Sequence, residues 1–364
     1  MIELMNRRRF LGRAGASLAL AGVVGAKEGG DQSMLRVAML SQWHAHAKGY
    51  ADRLRSLPEV KITAVWDEEP ERGAAWAVEL RADFEADLAT LLAQEDVDAV
   101  VCDAPTSMHA DVMTAAANAG KHIFTEKVMA LTVDECNRIS EAVKRNNVKF
   151  CISFPFRTRP EVLYAKQAVD EGLLGQLTFI RVRVAHNGGS GGWLPPHFWD
   201  PVTTGGGAMM DLGAHPMYLA RWIGGQPKRI ASTFNYLTGH EVEDNAVSVI
   251  EFENKVIGVS ETSFVSTNSP FSLELSGTEG SLIVGGPDER SVKVRSNKLD
   301  PKNWISPGEL PESLPHPIEM WVNGVLRGGP IPFDPEEGTQ LTELMQYAYE
   351  AHREGRHIEI PKRA

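Results

Sequence analysis

This chain is predicted to be an α/β protein, with a doubly wound parallel sheet followed by a second α/β domain that has a large open, mostly antiparallel sheet. From Met34 to residue 153, short apolar runs alternate with helical patterns, which is typical of βαβ units. Beyond residue 153, short strands separated by turn residues follow one another, which indicates antiparallel pairing. A length of 364 residues is sufficient for two domains.

Five strands and five helices are predicted in the first domain, residues 34–153. Pro58 ends the first helix, and Gly120 follows the fourth as its C′ residue. Thr132 and Glu135 have the spacing of a capping box before the fifth helix. Such sheets bind ligands at the carboxyl ends of their strands. The predicted strands are 35–40, 61–66, 98–102, 122–124 and 148–152, and the helices are 45–57, 71–80, 84–94, 108–119 and 133–146.

The second domain, residues 154–364, is predicted to begin with a helix at 160–171 and to end with a helix at 337–353. A glycine-rich turn at 205–213 leads into a further helix that ends near Ile223. Residues 296–317 are rich in proline and polar residues and are predicted to form a loop. The predicted strands are 178–185, 229–236, 246–252, 256–264, 271–277 and 280–284.

Composition argues against several classes of partner. The chain has 37 Lys and Arg against 48 Asp and Glu, a net charge of −11. Nucleic acid and anionic membrane surfaces require clustered basic residues, so neither is expected to bind. The three cysteines, Cys102, Cys136 and Cys151, are odd in number and widely spaced, which is not a disulfide framework. Cys102 lies in an apolar run and is predicted to be buried.

Residues 1–33 are predicted to be an export signal rather than part of the fold. Arg7 and Arg8 precede Phe10 and Leu11, and the apolar run at 14–26 is too short to span a bilayer. The pattern resembles a twin-arginine (Tat) signal, which exports folded proteins, often with their cofactor. We therefore expect a periplasmic or other extracytoplasmic location, with no membrane anchor after removal of the signal. A basic N-terminal tail is the alternative.

The first strand–helix turn is where such a domain normally binds dinucleotide phosphates, through the sequence G-x-G-x-x-G. Residues 41–47 read SQWHAHA instead, with Ser41 at the first glycine position and Trp43 where the backbone approaches the pyrophosphate. The helix N-terminus still offers free N–H groups to an anion. Asp67 is placed to hydrogen-bond an adenosine ribose and to repel a 2′-phosphate, which favours NAD over NADP. A helix cap or a surface acid is the alternative for Asp67.

His44 and His46 have three open interpretations. An H-x-H pair on a strand presents both rings to one side and can ligate a metal, but the geometry at a strand–helix turn is less defined. The pair therefore consists of structural or capping histidines, of contacts to cofactor or substrate, or of metal ligands.

Three motifs agree with one family. Residues 104–109, APTSMH, resemble a T-P-x-x-x-H loop, and residues 119–127, AGKHIFTEK, resemble A-G-K-H-V-x-x-E-K-P, with Val128 in the place of proline. Residues 205–215, GGGAMMDLGAH, resemble G-G-G-x-x-x-D-x-G-x-H. These motifs are similar to those of the Gfo/Idh/MocA oxidoreductases, which include glucose–fructose oxidoreductase and inositol dehydrogenase. The resemblance implies a Rossmann domain, a second domain whose sheet forms a homo-oligomer, and a nicotinamide cofactor.

The resemblance also implies the catalytic residues. Lys127 would bind the reacting hydroxyl, and Asp211 and His215 would face the nicotinamide as acid/base and orienting groups. Oxidation of an alcohol requires a base within hydrogen-bond reach, and a partly desolvated lysine is expected to have a lowered pKa. The alternatives are a surface lysine for Lys127, a helix N-terminal charge for Asp211 and a packed helix histidine for His215.

Further contacts are expected around this centre. Arg157 and His186 are candidate substrate contacts, although an ion pair and an exposed strand position are the alternatives. Trp193, His197 and Trp199 are suited to sugar stacking or to simple packing. The expected cofactor contacts are Ser41, Trp43, His44, His46, Asp67, Ala104, Pro105, Thr106, His109, Glu126 and Lys127.

The leading functional prediction is an exported NAD-dependent oxidoreductase with tightly bound cofactor that acts on a sugar, polyol or glycoside. The first alternative is a redox-neutral NAD-dependent glycosidase. The second is a metal-dependent lyase or hydrolase of keto-sugars that uses His44 and His46, with His186 and His215 as further candidate ligands. A non-enzymatic sugar-binding protein on a decayed dehydrogenase fold is the third.

Overall fold

Residues 34–288 and 290–362 are described by a computed structural model. The predicted export signal at residues 1–33 lies outside the described residues. Within the described ranges, no helix is both long enough and apolar enough to cross a bilayer.

Six parallel strands form the first sheet, in the spatial order β3-β2-β1-β4-β5-β6. Helices cover both faces of such a sheet, which explains why its strands are nearly continuous apolar runs. The strand order reverses between β1 and β4, and the crevice at the carboxyl ends beside this point is the usual ligand site. The prediction of a doubly wound sheet is therefore confirmed. The strands are β1 (Leu35–Leu40), β2 (Val60–Trp66), β3 (Asp83–Phe84), β4 (Ala99–Cys102), β5 (His122–Thr125) and β6 (Phe150–Ile152).

The helices of this half begin and end largely where their capping residues predict. Thr132 and Glu135 form the capping box, and Gly120 follows its helix with a φ of 76°. The single helix predicted over 84–94 is wrong, because residues 83–84 pair with β2 and a new helix begins after Asp87, which accepts the Thr90 N–H. The helices are α1 (Ala47–Arg55), α2 (Pro70–Leu80), α3 (Leu88–Leu92), α4 (His109–Asn118) and α5 (Val133–Arg145).

The second sheet is mostly antiparallel, as predicted, and among the described strands only β7 and β10 pair in parallel. Its spatial order is β14-β13-β12-β11-β7-β10-β9-β8-β15. The loop predicted over 296–317 is partly wrong, because residues 300–305 form β14 beside β13. The strands are β7 (Leu177–Ala185), β8 (Pro227–Asn235), β9 (Asn245–Phe252), β10 (Ile257–Ser263), β11 (Ser272–Gly277), β12 (Gly280–Gly285), β13 (Val292–Ser296), β14 (Asp300–Ile305) and β15 (Ile358–Glu359).

Two C-terminal helices link the sheets. α10 begins after a capping box formed by His316 and Glu319, and it packs against α1, β5 and β6 of the first half. α11 packs against both α5 and β8. The carboxyl edge of the parallel sheet is thereby held against the second sheet. The helices here are α6 (Pro160–Asp170), α7 (Pro201–Thr204), α8 (Ala208–Asp211), α9 (Ala214–Gly224), α10 (Pro317–Arg327) and α11 (Pro335–Glu354).

Candidate active site

A buried ion pair joins the two halves at the carboxyl end of β5. Lys127 follows that strand, and Asp211 is the last residue of α8. The Lys127 Nζ donates to Asp211 Oδ1 at 2.5 Å and to the Asp211 main-chain oxygen at 3.0 Å. Two of the three residues that the family resemblance assigns to catalysis are therefore in direct contact.

The glycine-rich turn positions Asp211. The N–H groups of Gly207 and Met209 donate to Glu243 Oε1, each at 2.9 Å, and Tyr349 donates to the same oxygen at 2.6 Å. A Cβ at position 207 would collide with the Glu243 backbone. Glycine is required here because α8 begins in van der Waals contact with this chain segment.

Lys127 is charged at neutral pH. Burial alone would lower its pKa, but the carboxylates of Asp211 and Glu126 outweigh burial, and the pKa of Lys127 is raised. Burial would raise the pKa of Asp211, yet Lys127 and His44 hold it well below its usual range. The expectation of a lowered lysine pKa is wrong, because it considered burial without the two carboxylates. Lys127 can donate a hydrogen bond and stabilise negative charge on an oxygen.

Glu126 connects Lys127 to the surface. Its Oε1 lies 3.8 Å from Lys127 Nζ, and its Oε2 lies 3.3 Å from His46 Nδ1. The Tyr50 hydroxyl donates to the same Oε2 and lies 2.7 Å from Ser153 Oγ. Burial opposes ionisation, but His46, His44 and Lys127 hold the pKa of Glu126 well below its usual range. Burial likewise lowers the pKa of His46, but Glu126 outweighs it, and that pKa is raised.

Two further histidines near the pair are neutral at pH 7. His44 Nε2 lies 3.7 Å from Asp211 Oδ1, and burial lowers the pKa of His44. His215 Nδ1 lies 3.0 Å from the Tyr218 hydroxyl, and burial together with the charge of Lys127 holds its pKa well below the ordinary value. His44 Nδ1 accepts the His46 N–H at 3.2 Å, so the ring proton lies on Nε2, the nitrogen that faces Asp211.

A small cavity of about 20 Å³ lies beside the ion pair, which is room for about one water molecule. Pockets that hold small ligands usually measure ~300–1,000 Å³, so this one is nearly closed. Predicted site residues from both halves of the molecule contribute to its wall, whereas His186 and His215 do not. The lining residues are Trp43, His44, Thr106, Lys127, Phe198, Thr204, Gly206, Met210 and Asp211.

The first strand–helix turn has lost all three glycines of the phosphate-binding motif. Ser41, Trp43 and His46 stand at the three positions of G-x-G-x-x-G. Ser41 keeps a left-handed φ of 76°, so the tight turn itself is retained. The Trp43 indole is 5% exposed and stacks on Phe198 with ring centroids 5.6 Å apart.

Asp67 lies at the end of β2, where the ribose contact was predicted, but its oxygens are engaged within the chain. They accept the N–H groups of Gln42 at 2.9 Å and Glu69 at 2.8 Å. Arg72 donates to them through Nε at 3.0 Å and Nη2 at 2.6 Å. The Asp67 side chain is 0% exposed as a result.

The described residues fit the two ends of NAD differently. Thr106, Lys127 and Asp211 all line the cavity and offer polar groups to a nicotinamide and its reacting partner. The pyrophosphate end is filled by Trp43 and Phe198. A dinucleotide therefore fits only when the indole leaves Phe198 and Arg72 releases an oxygen of Asp67.

The metal alternative concerns His44, His46 and Glu126, whose ligand atoms lie within 4.8 Å of one another. Two observations oppose it. His44 Nδ1 accepts the His46 N–H at 3.2 Å, which assigns the ring proton to Nε2 and removes the lone pair there. The carboxylates of Glu126 and Asp211 already face the Lys127 ammonium, at 3.8 Å and 2.5 Å.

The loop after β4 lies against the cavity, to which it contributes Thr106. Ala104, Pro105 and Thr106 precede α4, and the His109 ring contacts the carbonyl oxygens of Ala104 at 3.0 Å and Val128 at 2.9 Å. His109 thus ties the loops after β4 and β5 together. The Lys127–Val128 peptide bond is cis.

Arg157 is not at the cavity. It pairs with Glu337 and packs against the rings of Trp222 and Phe333, so the ion-pair alternative describes it. His186 stacks on Phe264, with Trp193 beside it. His197 contacts Trp43, and Trp199 stacks on His240.

Several contributors to the site are not among the predicted residues. Tyr50 lies on α1 four residues after His46, the residue that caps this helix, and this spacing places the two side chains on one side of the helix. Phe198 lies between His197 and Trp199, which are both predicted substrate contacts. Thr204 directly precedes the glycine-rich turn. Ser153 and Met210 carry no sequence signal of their own.

Comparisons with known proteins agree with this architecture. The oxidoreductase family with an NAD-binding Rossmann fold matches residues 21–154, and the GFO/IDH/MocA C-terminal domain matches residues 162–283. A levoglucosan dehydrogenase from Pseudarthrobacter phenanthrenivorans is 28% identical over 277 residues, covering 67% of this chain and 70% of that enzyme. The scyllo-inositol 2-dehydrogenase (NAD(+)) of Bacillus subtilis is 28% identical over 277 residues, covering 73% of this chain and 77% of that enzyme.

A solved structure shows the same fold. The complex of levoglucosan dehydrogenase with NADH and levoglucosan superimposes with a TM-score of 0.79 at 20% identity, covering 90% of this chain and 99% of that one. The predictions of the fold, of an oxidoreductase and of NAD as cofactor are confirmed by the family matches, and the non-enzymatic alternative is set aside. The chain belongs to the Gfo/Idh/MocA family of NAD-binding oxidoreductases.

Proposed function

We propose that this protein is an exported oxidoreductase that interconverts a secondary hydroxyl and a carbonyl on a sugar, polyol or glycoside, with NAD held tightly. The observation that carries the proposal is the Lys127–Asp211 pair, at 2.5 Å, in a cavity shared by both halves. The named activities of the levoglucosan and inositol dehydrogenases support the substrate class. Export is supported by the twin arginines at residues 7–8.

The chain's own residues handle the proton and the charge. Lys127, kept as an ammonium by Asp211 and Glu126, donates a hydrogen bond to the substrate oxygen and stabilises it as an alkoxide. Asp211 fixes the position of the ammonium, and its ionised carboxylate, which lies 3.7 Å from the protonated Nε2 of His44, accepts the hydroxyl proton. Bound NAD supplies the hydride acceptor, for which Thr106, Lys127 and Asp211 would form the nicotinamide end of the site.

Cofactor content and substrate turnover test this proposal together. We expect purified protein to carry nicotinamide, visible by native mass spectrometry, and to show a change in 340 nm absorbance when a reactive sugar or polyol is added. Protein that carries no nicotinamide, and that turns over none of a panel of monosaccharides, inositols and glycosides with added NAD, would contradict it. Cleavage of a glycoside without net change at 340 nm would identify the redox-neutral glycosidase instead.

We also propose that the exposed face of the second sheet forms a homo-oligomer. Val247 and Val249 on β9 and Ile257 on β10 are exposed on this face. Apolar side chains grouped on a surface are typical of a face that a partner subunit covers. A broad hollow lined by Arg183, Thr233 and Glu261 lies on the same sheet.

A further inference from the structure

A chain of two hydrogen bonds holds the ring of His215. The main-chain N–H of Phe156, in the turn at residues 155–158, donates to the Tyr218 hydroxyl oxygen at 3.3 Å. That oxygen lies 3.0 Å from His215 Nδ1. His215 and Tyr218 are three residues apart on α9, a spacing at which side chains meet on one helix face. The Tyr218 ring stacks on Phe154 with centroids 4.3 Å apart, so its orientation is fixed.

The direction of both hydrogen bonds follows from the protons that are available. A backbone N–H can only donate, so the Tyr218 oxygen accepts from Phe156. In the described part of the chain, His215 Nδ1 is then the single acceptor for the Tyr218 hydroxyl proton. Tyr218 is buried, and a buried hydroxyl donor without an acceptor is costly. The Tyr218 hydroxyl therefore donates to His215 Nδ1.

The proton of the His215 ring consequently lies on Nε2. Burial and the charge of Lys127, with a smaller effect of His46, hold the pKa of His215 well below the ordinary value. The charges of Asp211 and Glu126 oppose this shift but do not outweigh it. A neutral imidazole has one N–H, and Nδ1 is an acceptor here. Among the described residues, Nε2 has no hydrogen-bond partner, so this N–H is free to donate.

His215 is on the side of its helix that meets the ion pair. Asp211 and His215 are four residues apart, and Leu212 and Gly213 between them have helical backbone angles, which places both side chains on one side. The effect of the Lys127 charge on His215 agrees with this placement. His215 is outside the wall of the closed cavity, but catalytic contacts often form only in the substrate complex.

A secondary hydroxyl is best bound by two donors and one acceptor, because its oxygen has two lone pairs and one proton. The Lys127 ammonium is one donor, and the Asp211 carboxylate is the acceptor. The Nε2–H of His215 supplies the second donor. After oxidation, the carbonyl oxygen accepts from the same two donors. A His215 ring with its proton on Nδ1 would instead offer a second acceptor, for which the hydroxyl has no proton.

We propose that Tyr218 is a positioning residue that fixes the tautomer of His215, so that His215 donates a hydrogen bond from Nε2 to the substrate oxygen and does not act as a base. His215 keeps its proton throughout. The hydroxyl proton passes to the Asp211 carboxylate and the hydride to the nicotinamide, so protons and electrons balance as in the proposed oxidation. The donor role rests on the proposed function, whereas the tautomer can be measured without turnover.

NMR of the full chain labelled with ¹⁵N-histidine reports the tautomer directly, because protonated and unprotonated ring nitrogens have different shifts. The His215 signals are assigned by their absence in His215→Leu. We expect an unprotonated Nδ1 and a protonated Nε2 in the wild type, and a shift of Nδ1 toward the protonated value in Tyr218→Phe. Tyr164→Phe is the matched control, because Tyr164 is also a buried tyrosine and lies on α6. A proton on Nδ1 in the wild type, or an unchanged tautomer in Tyr218→Phe, would overturn the proposal.

Kinetics separate a donor from a base. The amide of His215→Gln can donate a hydrogen bond but cannot take up a proton, and we expect its kcat to stay within ~10-fold of the wild type. His215→Leu can do neither, and its kcat should fall at least ~100-fold. Tyr218→Phe should lower kcat by about 10-fold, since only part of the protein then has the required tautomer. Tyr164→Phe should have wild-type kinetics.

The remaining outcomes distinguish the two proposals. An active wild type in which His215→Gln loses as much activity as His215→Leu would show that His215 is a base, and this would overturn the donor role alone. Normal turnover in His215→Leu would overturn it as well. A wild type that oxidises no substrate would reject the proposed function, and the donor role with it.

Discussion

Trp43 stacks on Phe198 across the crevice that receives the pyrophosphate in dinucleotide-binding sheets of this order, with ring centroids 5.6 Å apart and planes inclined by 15°. The two rings come from different parts of the chain, the turn after β1 and the segment before α7. Their contact closes the crevice. Binding of NAD must therefore first separate them, at a free-energy cost that lowers the apparent affinity.

Removing either ring should accordingly strengthen cofactor binding. We expect Trp43→Ala and Phe198→Ala each to lower the Kd for NAD about 10-fold, since a closed state favoured by ~1.4 kcal/mol reduces apparent affinity by that factor. Calorimetric titration of protein stripped of nucleotide measures this directly. Trp193→Ala is the control, because that indole is exposed and packs on His186. Weaker binding in both variants would show that the rings contact the cofactor rather than exclude it.

Loss of the Lys127 ammonium should abolish turnover. Lys127→Met keeps the length of the side chain but removes the charge that stabilises the substrate oxygen, and we expect kcat to fall at least ~100-fold. Steady-state kinetics with the best substrate of the panel provide the measurement. Lys144→Met, on the exposed side of α5, should be indistinguishable from wild type. Near-normal turnover of Lys127→Met would reject the assignment of this residue.

The assembly of the protein can be tested on the open sheet face. Val249 on β9 is 44% exposed, and we expect Val249→Arg to convert the oligomer to monomers because it would bury a charge in the interface. Light scattering coupled to size exclusion measures the molar mass. Val78→Arg is the control, because Val78 is 79% exposed on α2. A monomeric wild type, or a Val249→Arg variant of unchanged mass, would contradict the proposed interface.

Much of the fold could be predicted because its strands are apolar runs punctuated by proline, glycine and capping residues. The capping box of Thr132 and Glu135 is local and was recognised correctly. Residues 83–84 and 300–305 form strands only because they pair with β2 and β13. Neither segment has the apolar pattern from which a strand can be predicted. The helix at 317–327 follows a proline-rich stretch, and the single sequence signal for its start, the capping box of His316 and Glu319, lies at the end of that stretch.

The site was predictable only as far as the motifs extend. Lys127 and Asp211 are 84 residues apart in sequence, and the family motifs are the only sequence signal that associates them. The direction of the Lys127 pKa shift was wrong because it depends on two carboxylates that meet it in space. The closure of the crevice by Trp43 also depends on a ring about 150 residues away, which no local pattern indicates.

A buried carboxyl group should make the stability of the protein depend on pH. Asp103 follows β4, is 0% exposed, and in the described part of the chain neither of its carboxyl oxygens has a hydrogen-bond partner. Burial, together with the nearby charge of Glu126, raises its pKa well above the ordinary value. An acid whose pKa is higher in the folded state contributes stability below its unfolded pKa, and that contribution is lost as the pH rises through the folded pKa.

We therefore expect the Tm of the wild type to fall as the pH is raised from 4 to 9 by more than that of Asp103→Asn, whose side chain cannot ionise. Each kcal/mol of destabilisation that the substitution removes corresponds to a difference of roughly 2 °C in Tm for a chain of this size. The comparison is made on the slope of Tm against pH, since a buried amide has its own hydrogen-bonding cost at every pH. Asp52→Asn, on the exposed side of α1, should leave the slope unchanged. Parallel curves for the wild type and Asp103→Asn would show that Asp103 ionises normally in the folded protein.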